Sequence, residues 1–422
     1  MMKLQSIKGM NDIVPPDSSA WQLAEQLLST ILHSYGYRQI RLPIIEYTAV
    51  FERSIGDVTD IVQKEMYIFE DRNGDSLTLR PEGTAGCVRA LLEHGLLNQQ
   101  NRKLWYIGPM FRHERPQKGR YRQFHQIGVE VFDQSGPDID AELIMMTARM
   151  WSALELNNLR LELNTLGTVA NRKQYAKVLF QYFSDRKDEL DADSLNRLDR
   201  NPMRILDSKN PALRQVIDDA PALEQHLDES SREHFSDLCE ILTKAGIEFT
   251  VNPHLVRGLD YYSNTVFEWI TDDLGAQGTV CAGGRYDRLV ELLGGKPTQA
   301  IGFAMGLERL VELSKQRLSR DNQGDVDVYI ISTSEAFLAD VLSYAESIRD
   351  ADSRWRVIYH CGGGSLKSQM RKADRSGAQL ALIIGDQEYA ETTVTIKPLR
   401  NQADQFTVPQ SESIEALRKF VA

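Results

Sequence analysis

The sequence has few cysteines and no long apolar run. Its 422 residues include four cysteines, which lie far apart and form no C-x-x-C pair: Cys87, Cys239, Cys281 and Cys361. This spacing argues against a disulfide framework and against a thiolate zinc site, and it fits reduced thiols. No stretch approaches the ~20 apolar residues of a transmembrane helix, and the N-terminus lacks the apolar core of a secretory signal. We therefore expect a cytoplasmic protein that is neither exported nor membrane-bound.

An excess of positive charge is also absent, because 49 Lys and Arg stand against 60 Asp and Glu, for a formal net charge of -11. Non-specific binding of nucleic acid depends on clustered Lys and Arg, so the composition argues against a general nucleic-acid coat. One local exception surrounds Glu114, where residues 112–122 include five basic side chains: Arg112, Arg115, Lys118, Arg120 and Arg122. A dense cationic loop on an acidic chain indicates a phosphate contact at a defined place.

The length and patterning indicate several globular units. No internal repeat or low-complexity tract is present, and at roughly 150 residues per domain the length suggests about three units. At about residues 168–246 the strand-like alternation stops and the sequence becomes charged and helix-like, which predicts a helical insertion. Polar residues 319–325 predict a linker, and the segment after it alternates apolar runs with helical stretches, as in a small α/β domain.

Alternation of polar and apolar residues predicts an antiparallel sheet. Two alternating runs between Met66 and Arg80 flank Asn73-Gly74, the strongest short hairpin signal. Residues 104–112 and 121–132 are predicted as a second strand pair joined by the basic loop. Periodicity predicts further elements: a helix at 18–36 capped by Ser18 and ended by Gly36, strands at 38–43, 158–164 and 247–251, and helices that begin near Arg285 and Met305.

The predicted strand 121–132 separates a polar face from an apolar one. A period of two places these residues on one face: Arg122, Phe124, Gln126, Gly128 and Glu130. The other face carries Ile127, Val129 and Val131, which we expect to pack under helices. Gly128 leaves room on the polar face for something to lie against the backbone. A merely solvated polar face is the alternative for an isolated strand.

Four ordered motifs carry a resemblance to a known family. Residues 111–126, which begin Phe-Arg-His-Glu, are similar to motif 2 of class II aminoacyl-tRNA synthetases in the form typical of the histidine enzymes. Residues 302–309 resemble motif 3, and residues 36–56, centred on Pro43, resemble motif 1. Residues 255–262 resemble a segment peculiar to histidyl-tRNA synthetases. The resemblance covers the whole chain.

The resemblance implies an α+β fold. It places a class II catalytic domain, built on an antiparallel sheet, at residues 1–325, with the helical insertion at about 168–246, and an α/β anticodon-binding domain at residues 326–422. It implies a histidine–tRNA ligase of protein biosynthesis, which activates L-histidine with ATP and transfers it to the 3′ end of tRNA(His). A homodimer is also implied.

Amino-acid activation directs an ionised carboxylate at the α-phosphorus of ATP, so it needs positive charge and alignment rather than a general base. Guanidinium groups suit this because they stay protonated and bind phosphate oxygens bidentately. The resemblance places the catalytic residues Arg112 and Arg257 at the α-phosphate and Arg309 at the γ-phosphate. Glu114 is a further candidate for the ATP site. Mg²⁺ is expected with ATP, but the sequence assigns no metal ligand.

The resemblance also assigns residues to histidine: Glu82, Gly83, Thr84, Gln126, Glu130, Tyr261 and Tyr262. Glu82 and Gln126 would hold the α-amino group, while Glu130 and Tyr262 would meet the two imidazole nitrogens. A pocket that pairs both nitrogens can reject analogues by about 10⁴ to 10⁵ without proofreading. An ordinary aromatic core is the alternative for the tyrosine pair. Contacts with tRNA are implied for Gln117, Arg115 and Arg120.

Some alternatives remain open. Gly283-Gly284 fit either close approach of a ligand to the backbone or a tight turn. Residues 362–367 could form a small anion site or a plain strand-to-helix turn. Synthetase-like regulatory proteins keep the fold and bind histidine without charging tRNA, but they generally lack the anticodon domain and the catalytic arginines. Ligation of histidine to a small acceptor is a third hypothesis.

Overall fold

The computed structural model describes residues 4–55, 59, 61–99, 102–117, 119–208, 210–257, 261–275, 278–321 and 326–421. The chain divides into two compact units, Met1–Leu318 and Ser319–Ala422. Parts of several predictions lie outside the described residues, among them Gly56 of the segment that resembles motif 1, Lys118 of the basic loop, residues 258–260 of the fourth motif, and residues 322–325 of the linker.

The described residues form sixteen strands and fifteen α-helices. The strands are β1 (Arg38–Gln39), β2 (Ile45–Tyr47), β3 (Tyr67–Glu70), β4 (Ser76–Leu79), β5 (Lys103–Phe111), β6 (Gln123–Phe132), β7 (Arg160–Thr165), β8 (Thr250–Val251), β9 (Ser263–Ile270), β10 (Thr279–Arg285), β11 (Ala300–Gly306), β12 (Val328–Ser332), β13 (Val357–Tyr359), β14 (Leu380–Ile384), β15 (Thr393–Pro398) and β16 (Phe406–Pro409). The helices are α1 (Asp17–Ser34), α2 (Thr48–Ile55), α3 (Thr84–Glu93), α4 (Pro137–Ala153), α5 (Val169–Ser184), α6 (Ala192–Leu198), α7 (Arg214–Asp218), α8 (Glu229–Lys244), α9 (Leu289–Leu292), α10 (Leu307–Leu313), α11 (Lys315–Asp321), α12 (Leu338–Ala351), α13 (Leu366–Arg375), α14 (Asp386–Glu391) and α15 (Ser413–Leu417).

An eight-stranded sheet organises the first unit, in the order β1-β5-β6-β11-β10-β9-β7-β8. Its inner pairs are antiparallel, and only the described edge pairs β1/β5 and β7/β8 are parallel. The predicted antiparallel sheet and the β5–β6 pair are therefore confirmed. The strand predicted at 38–43 is confirmed as an edge strand, although only Arg38 and Gln39 pair with β5.

The two faces predicted for β6 are confirmed. Ile127, Val129 and Val131 are fully buried in a core with helix residues such as Leu28 of α1 and Leu143 of α4. This arrangement follows from burial of the apolar face of the strand against the apolar stripe of each helix. The opposite face of β6 is left to line a cleft.

The predicted hairpin at Asn73-Gly74 is confirmed. Strands β3 and β4 pair antiparallel across it, and β2 adds to the other side of β4. The Asp71 carboxylate accepts bonds from the backbone N–H groups of Asn73 and Asp75, and Gly74 supplies the positive φ of 86° that the turn requires. One face of this three-stranded sheet is apolar and exposed.

The helical insertion runs from α5 to α8, with caps that match its polar sequence. Thr168 and Asn171 form a capping box at α5, and the carboxylates of Asp191 and Asp228 cap α6 and α8. Tyr175 shares a core with Tyr262 of the sheet unit, so the insertion packs on the cleft side of the sheet.

The second unit is a five-stranded sheet in the order β13-β12-β14-β15-β16. Strands β13, β12 and β14 are parallel, which fits the predicted α/β character. The turn at residues 362–364 consists of three glycines with positive φ, and Ser365 then caps α13. It is therefore built as a strand-to-helix turn.

Four predicted boundaries are wrong. Ser18 does not cap α1, because the helix already begins at Asp17. Met305 lies inside β11, which stays paired with β6 as far as Gly306, so the helix starts at Leu307. Arg285 is the last residue of β10, and the helix after it is confined to α9. Residues 319–321 belong to helix α11 rather than to a linker.

The four cysteines are free in the structure. In the described part of the chain, no helix has the length and apolar character to cross a membrane.

A buried ion pair joins the sheet to α4 and to the insertion. Arg285 Nη2 lies 2.6 Å from Asp140 Oδ1, and both side chains are buried. His234 of α8 and Thr265 of β9 each contact the same carboxylate at 2.7 Å. Although burial acts to raise it, hydrogen bonding to His234 and the charge of Arg285 hold the pKa of Asp140 below its ordinary value.

We expect Asp140→Ala to destabilise the first unit by about 3–5 kcal/mol, because Arg285 would keep a buried charge without its partner. Unfolding in urea measures this. Asp272→Ala is the matched control, since Asp272 is 82% exposed and also pairs with an arginine, Arg160. The control should unfold close to the wild type, and equal midpoints for the two variants would contradict the prediction.

Candidate active site

A cleft of about 770 Å³ opens on the polar face of β6. Eleven of the predicted site residues line it: Glu82, Thr84, Arg112, Glu114, Arg120, Gln126, Glu130, Arg257, Tyr261, Tyr262 and Arg309. Gly83, Arg115 and Gln117 do not line it. The structure therefore brings together side chains from segments that are far apart in the sequence.

The basic loop has an exposed tip beside residues that line the cleft. Arg115 and Gln117 are exposed. Gln117 and Arg120 exchange backbone hydrogen bonds of 3.0 and 2.9 Å, which close a tight turn at Gly119. Arg120 differs from the other two, because its guanidinium pairs with the Glu114 carboxylate inside the cleft.

The arginines of the cleft lie close enough for their charges to act on one another. Burial lowers the pKa of Arg112, and the nearby charge of Arg257 lowers it further, while Glu65 and Glu82 oppose the change. Burial also lowers the pKa of Arg309, with added repulsion from Arg120 and Arg112. Like charges held this close in a partly buried cleft are best relieved by a bound polyanion.

Backbone carbonyls and one carboxylate hold these arginines. Arg112 Nε donates to the Pro81 carbonyl at 2.9 Å. Arg309 Nε donates to the Gly119 carbonyl at 3.1 Å. Arg257 pairs with Glu268, whose other oxygen accepts a 3.0 Å bond from Thr279. The guanidinium groups are thus oriented before any ligand is bound.

Glu82 is fixed at the start of α3. Its two carboxylate oxygens accept bonds of 2.6 and 2.9 Å from the backbone N–H groups of Thr84 and Ala85. Burial raises the pKa of Glu82, although these hydrogen bonds and the charge of Arg112 act in the opposite direction. The side chain therefore holds its position by capping a helix.

Gln126 presents an acceptor without a partner. Its Oε1 atom is buried and makes no hydrogen bond with any described residue. A buried amide oxygen of this kind costs free energy until a donor arrives. Since Glu82 lines the same cleft, the pair fits a ligand that carries an ammonium group.

Glu130 lies at the floor of the cleft, and its carboxyl group is held by two tyrosines. The hydroxyl of Tyr106 donates to Oε1 at 3.0 Å, and the hydroxyl of Tyr286 donates to Oε2. Burial raises the pKa of Glu130 to about 8, although these hydrogen bonds act to lower it. The carboxyl group is therefore easily protonated near neutral pH.

The space beside Gly128 is filled by the protein itself. A side chain at Gly128 or at Gly83 would overlap the ring of Tyr106, which lies between the two glycines. Gly283 and Gly284 likewise make room for the neighbouring strands, because a side chain there would overlap Gly302 and Thr265. The expectation that something lies against the backbone at Gly128 is therefore met by the ring of Tyr106.

Sequence reasoning missed several residues of the site. Tyr106 carried a signal, since alternation along β5 turns it to the cleft face, opposite Gly128. Glu308 carried no signal from alternation. Its carboxylate accepts bonds from the backbone N–H and the ring Nδ1 of His125, and so joins α10 to β6. Three aspartates of the helical insertion also line the cleft: Asp191, Asp193 and Asp207.

No group of three or more His, Cys, Asp or Glu side chains that could hold a metal ion occurs among the described residues. Glu114 lies in the cleft, where it is buried and paired with Arg120. Glu65 lies on the other side of Arg120, at 3.7 Å. A Mg²⁺ ion that arrives with phosphate ligands of its own needs only one or two carboxylates from the protein.

We expect Glu130→Gln to change how stability depends on pH. The pKa of Glu130 is about 8 in the folded chain, above its ordinary value of 4.5, so folding stability falls as pH rises between these values. The glutamine does not ionise. The melting temperature of the variant, relative to wild type, should therefore rise from about pH 5 to about pH 8.

Glu142→Gln serves as the control for this measurement, because Glu142 is 32% exposed and pairs with Lys103 outside the cleft. A melting-temperature difference for Glu130→Gln that is constant with pH would contradict the prediction.

Comparisons with known proteins agree with this arrangement. Residues 9–310 match the family described as histidyl-tRNA synthetase, and residues 327–420 match the family described as anticodon binding domain. The apo histidyl-tRNA synthetase of S. aureus is 33% identical, with a TM-score of 0.82 over 99% of this chain and 100% of that chain.

Two further solved structures share the fold. The histidyl-tRNA synthetase of Nostoc sp. PCC 7120 is 19% identical, with a TM-score of 0.72 over 100% of both chains. A protein of Bacillus halodurans described as ATP phosphoribosyltransferase regulatory subunit/histidyl-tRNA synthetase is 20% identical, with a TM-score of 0.66 over 91% of this chain and 98% of that chain. Because the first family match spans most of the chain and the S. aureus enzyme matches over its full length, the chain belongs to the histidyl-tRNA synthetase family of aminoacyl-tRNA ligases.

Proposed function

We propose that both steps of histidine–tRNA ligation take place in the cleft of the first unit. In the first step, L-histidine and ATP give histidyl-adenylate and pyrophosphate; in the second, the histidyl group passes to the 3′ end of tRNA(His). The observation that best supports this proposal is that one cleft is lined by Arg112, Arg257 and Arg309 together with Gln126 and Glu130. We place the catalytic domain at residues 1–325 and the anticodon-binding domain at 326–422, and the reaction in the cytoplasm, where protein is synthesised.

The arginines form the ATP half of the proposed site. Arg112 and Arg257 contact the α-phosphate, where negative charge builds as the histidine carboxylate attacks, and Arg309 contacts the γ-phosphate. The lowered pKa values of Arg112 and Arg309 support this, because burial and then the charges of neighbouring arginines cause the lowering, and a bound triphosphate would relieve the repulsion. No general base is required, since the attacking carboxylate is already ionised. Alignment of that carboxylate can contribute about 7–11 kcal/mol of the rate enhancement.

The carboxyl groups form the histidine half. Glu82 and the unpartnered oxygen of Gln126 bind the α-ammonium group, and Thr84 lies beside them. Glu130 and Tyr262 contact the two imidazole nitrogens, with Tyr261 packed on Tyr262 at a ring distance of 4.7 Å. Gly83 contributes indirectly, since it gives Tyr106 its space. A site that pairs both nitrogens rejects most other side chains without editing.

Glu114 fits a Mg²⁺ ion that enters with ATP. Mg²⁺ is usually held by one or two carboxylates together with phosphate oxygens and water. Glu114 lies in the cleft with the arginines and can be released from Arg120 when phosphate binds that arginine instead. When bound, the ion would offset negative charge on the phosphates.

The basic loop is proposed to contact tRNA. Arg115 and Gln117 are exposed at its tip, next to the cleft where the 3′ end must enter. Arg120 is proposed to act with them, although it also pairs with Glu114.

A regulatory protein that binds histidine without charging tRNA is the second candidate function. The three arginines and the matched anticodon-binding segment 327–420 favour the ligase. Incubation with radiolabelled histidine and ATP separates the hypotheses. The ligase makes the label acid-precipitable only when tRNA is present, which also excludes a small acceptor.

We expect Arg257→Ala to fold and to bind histidine, but to lower histidine-dependent ATP–pyrophosphate exchange by about 100- to 1000-fold, because one contact to the charged transition state is lost. Exchange of labelled pyrophosphate into ATP measures this. Arg160→Ala is the control, since Arg160 is an exposed arginine paired with Asp272. Near-normal exchange by Arg257→Ala would refute the assignment.

A homodimer is also proposed, through the exposed face of the three-stranded sheet. The strand register places six apolar side chains on this face: Ile45, Tyr47, Tyr67, Phe69, Leu77 and Leu79. Tyr47 is 58% exposed and Phe69 is 39% exposed. Contiguous exposed apolar patches mark interaction surfaces. The surface lies within the segment that resembles motif 1 and the hairpin beside it, so a second copy of this chain is the proposed partner.

We expect Phe69→Asp to shift the protein from dimer to monomer, because a buried unpaired carboxylate would face its own symmetry mate. Sedimentation velocity measures the change in mass. Val251→Asp is the control, since Val251 is 48% exposed but lies on β8, in a different sheet. A dimer that survives Phe69→Asp, or a monomeric wild type, would refute this interface.

A further inference from the structure

We infer that Tyr106 and Tyr286 are positioning residues that hold the carboxylate of Glu130 against the histidine imidazole and thereby determine the affinity for histidine. The inference rests on the proposed function, which assigns Glu130 to the imidazole ring. Neither tyrosine is needed to bind ATP, so their effects should be confined to histidine.

Two tyrosines from different segments donate hydrogen bonds to the Glu130 carboxylate. Tyr106 comes from β5 and donates to Oε1 at 3.0 Å, while Tyr286 follows β10 and donates to Oε2. The two oxygens of a carboxylate have about four acceptor positions between them, so with the tyrosine bonds and the Thr84 hydroxyl in place an acceptor position remains for a ligand. Rotation of the carboxyl group would break one of the two tyrosine bonds. The remaining acceptor position is therefore directed.

Glycines create the space for this cluster. Gly83 and Gly128 flank the ring of Tyr106, and a side chain on either would overlap it. A side chain at Gly302, on the neighbouring strand β11, would overlap the Glu130 carboxylate. Three glycines from separate segments thus accommodate one hydrogen-bonded cluster. Close packing of this kind favours a single orientation of the carboxyl group.

The titratable groups around Glu130 are one further carboxyl group, one thiol and four tyrosine hydroxyls. The titratable neighbours on the elements packed against it are Glu82, Cys87, Tyr106, Tyr261, Tyr262 and Tyr286. Burial and the charge of Glu82 raise the pKa of Glu130 to about 8, while the tyrosine hydroxyls act to lower it. Removal of one hydroxyl should raise the pKa of Glu130 further and disfavour the carboxylate that accepts from the imidazole.

The test is to measure the KM values for histidine and for ATP in pyrophosphate exchange, from about pH 6 to about pH 9, for Tyr106→Phe and Tyr286→Phe. Loss of one hydrogen bond to a charged group should raise the histidine KM about 10-fold or more, with little change for ATP. The ratio of variant to wild-type histidine KM should be largest at low pH and should shrink as pH rises, because the carboxylate is recovered.

Tyr37→Phe is the matched control. Tyr37 is also a buried tyrosine that donates to a glutamate, Glu142, at 3.1 Å, but it lies outside the cleft. It should leave both KM values unchanged. Melting temperatures of the three variants report any common loss of stability.

Glu130→Gln supplies a second measurement. In that background neither tyrosine substitution should raise the histidine KM further, because the group that the hydroxyls hold is gone. Additive effects would overturn the inference, as would a histidine KM that is unchanged, independent of pH, or raised in parallel with the ATP KM. If the wild type itself shows no histidine-dependent exchange, the proposed function fails instead.

Discussion

The register of β6 between β5 and β11 is the constraint on which the cleft depends. It places Tyr106 opposite Gly128 on one side and Gly302 opposite Glu130 on the other. A slip of one residue would turn Gln126 and Glu130 toward the helices and expose the apolar face to the cleft. Because the apolar side chains of β6 are completely buried under α1 and α4, burial enforces the register that the hydrogen bonds define.

This register gives the cleft two electrostatic halves. Arginines repel one another at one end, and Glu82 and Glu130 are buried with raised pKa values at the other. A ligand of opposite charge would relieve the repulsion among the arginines at one end and would stabilise the ionised carboxylates at the other. The halves meet at Pro81, whose carbonyl binds Arg112 and whose next residue is Glu82. In the proposed reaction, ATP bound by the arginines and an amino acid bound through its ammonium group would lie side by side, which would bring the amino-acid carboxylate near the α-phosphate.

One buried arginine also connects the exposed three-stranded sheet with the cleft. Arg80 follows β4 and donates to the carbonyls of Leu42 and Pro109, at 2.9 and 2.8 Å. Pro109 belongs to β5, which ends one residue before Arg112. One hydrogen-bonded side chain therefore separates the proposed dimer surface from a proposed catalytic arginine. A shift of the three-stranded sheet would move Arg80, and through Pro109 it would move the end of β5 beside Arg112.

The sequence by itself determined the hairpins and the two faces of β6, because these follow from turn chemistry and from a period of two. The motifs that resemble a known family supplied eleven of the residues that line the cleft. Only the tertiary structure decided the helix starts at Leu307 and Leu289, since pairing with other strands extends β11 and β10 beyond their local signals. It also decided the partners of the site: Tyr286 and Glu130 are 156 residues apart in sequence, and His125 and Glu308 are 183 apart. The strand pair β5–β6 follows from the sequence, but only the register of the folded pair places the ring of Tyr106 against Gly128, because alternation sets the face of a side chain and not its partner.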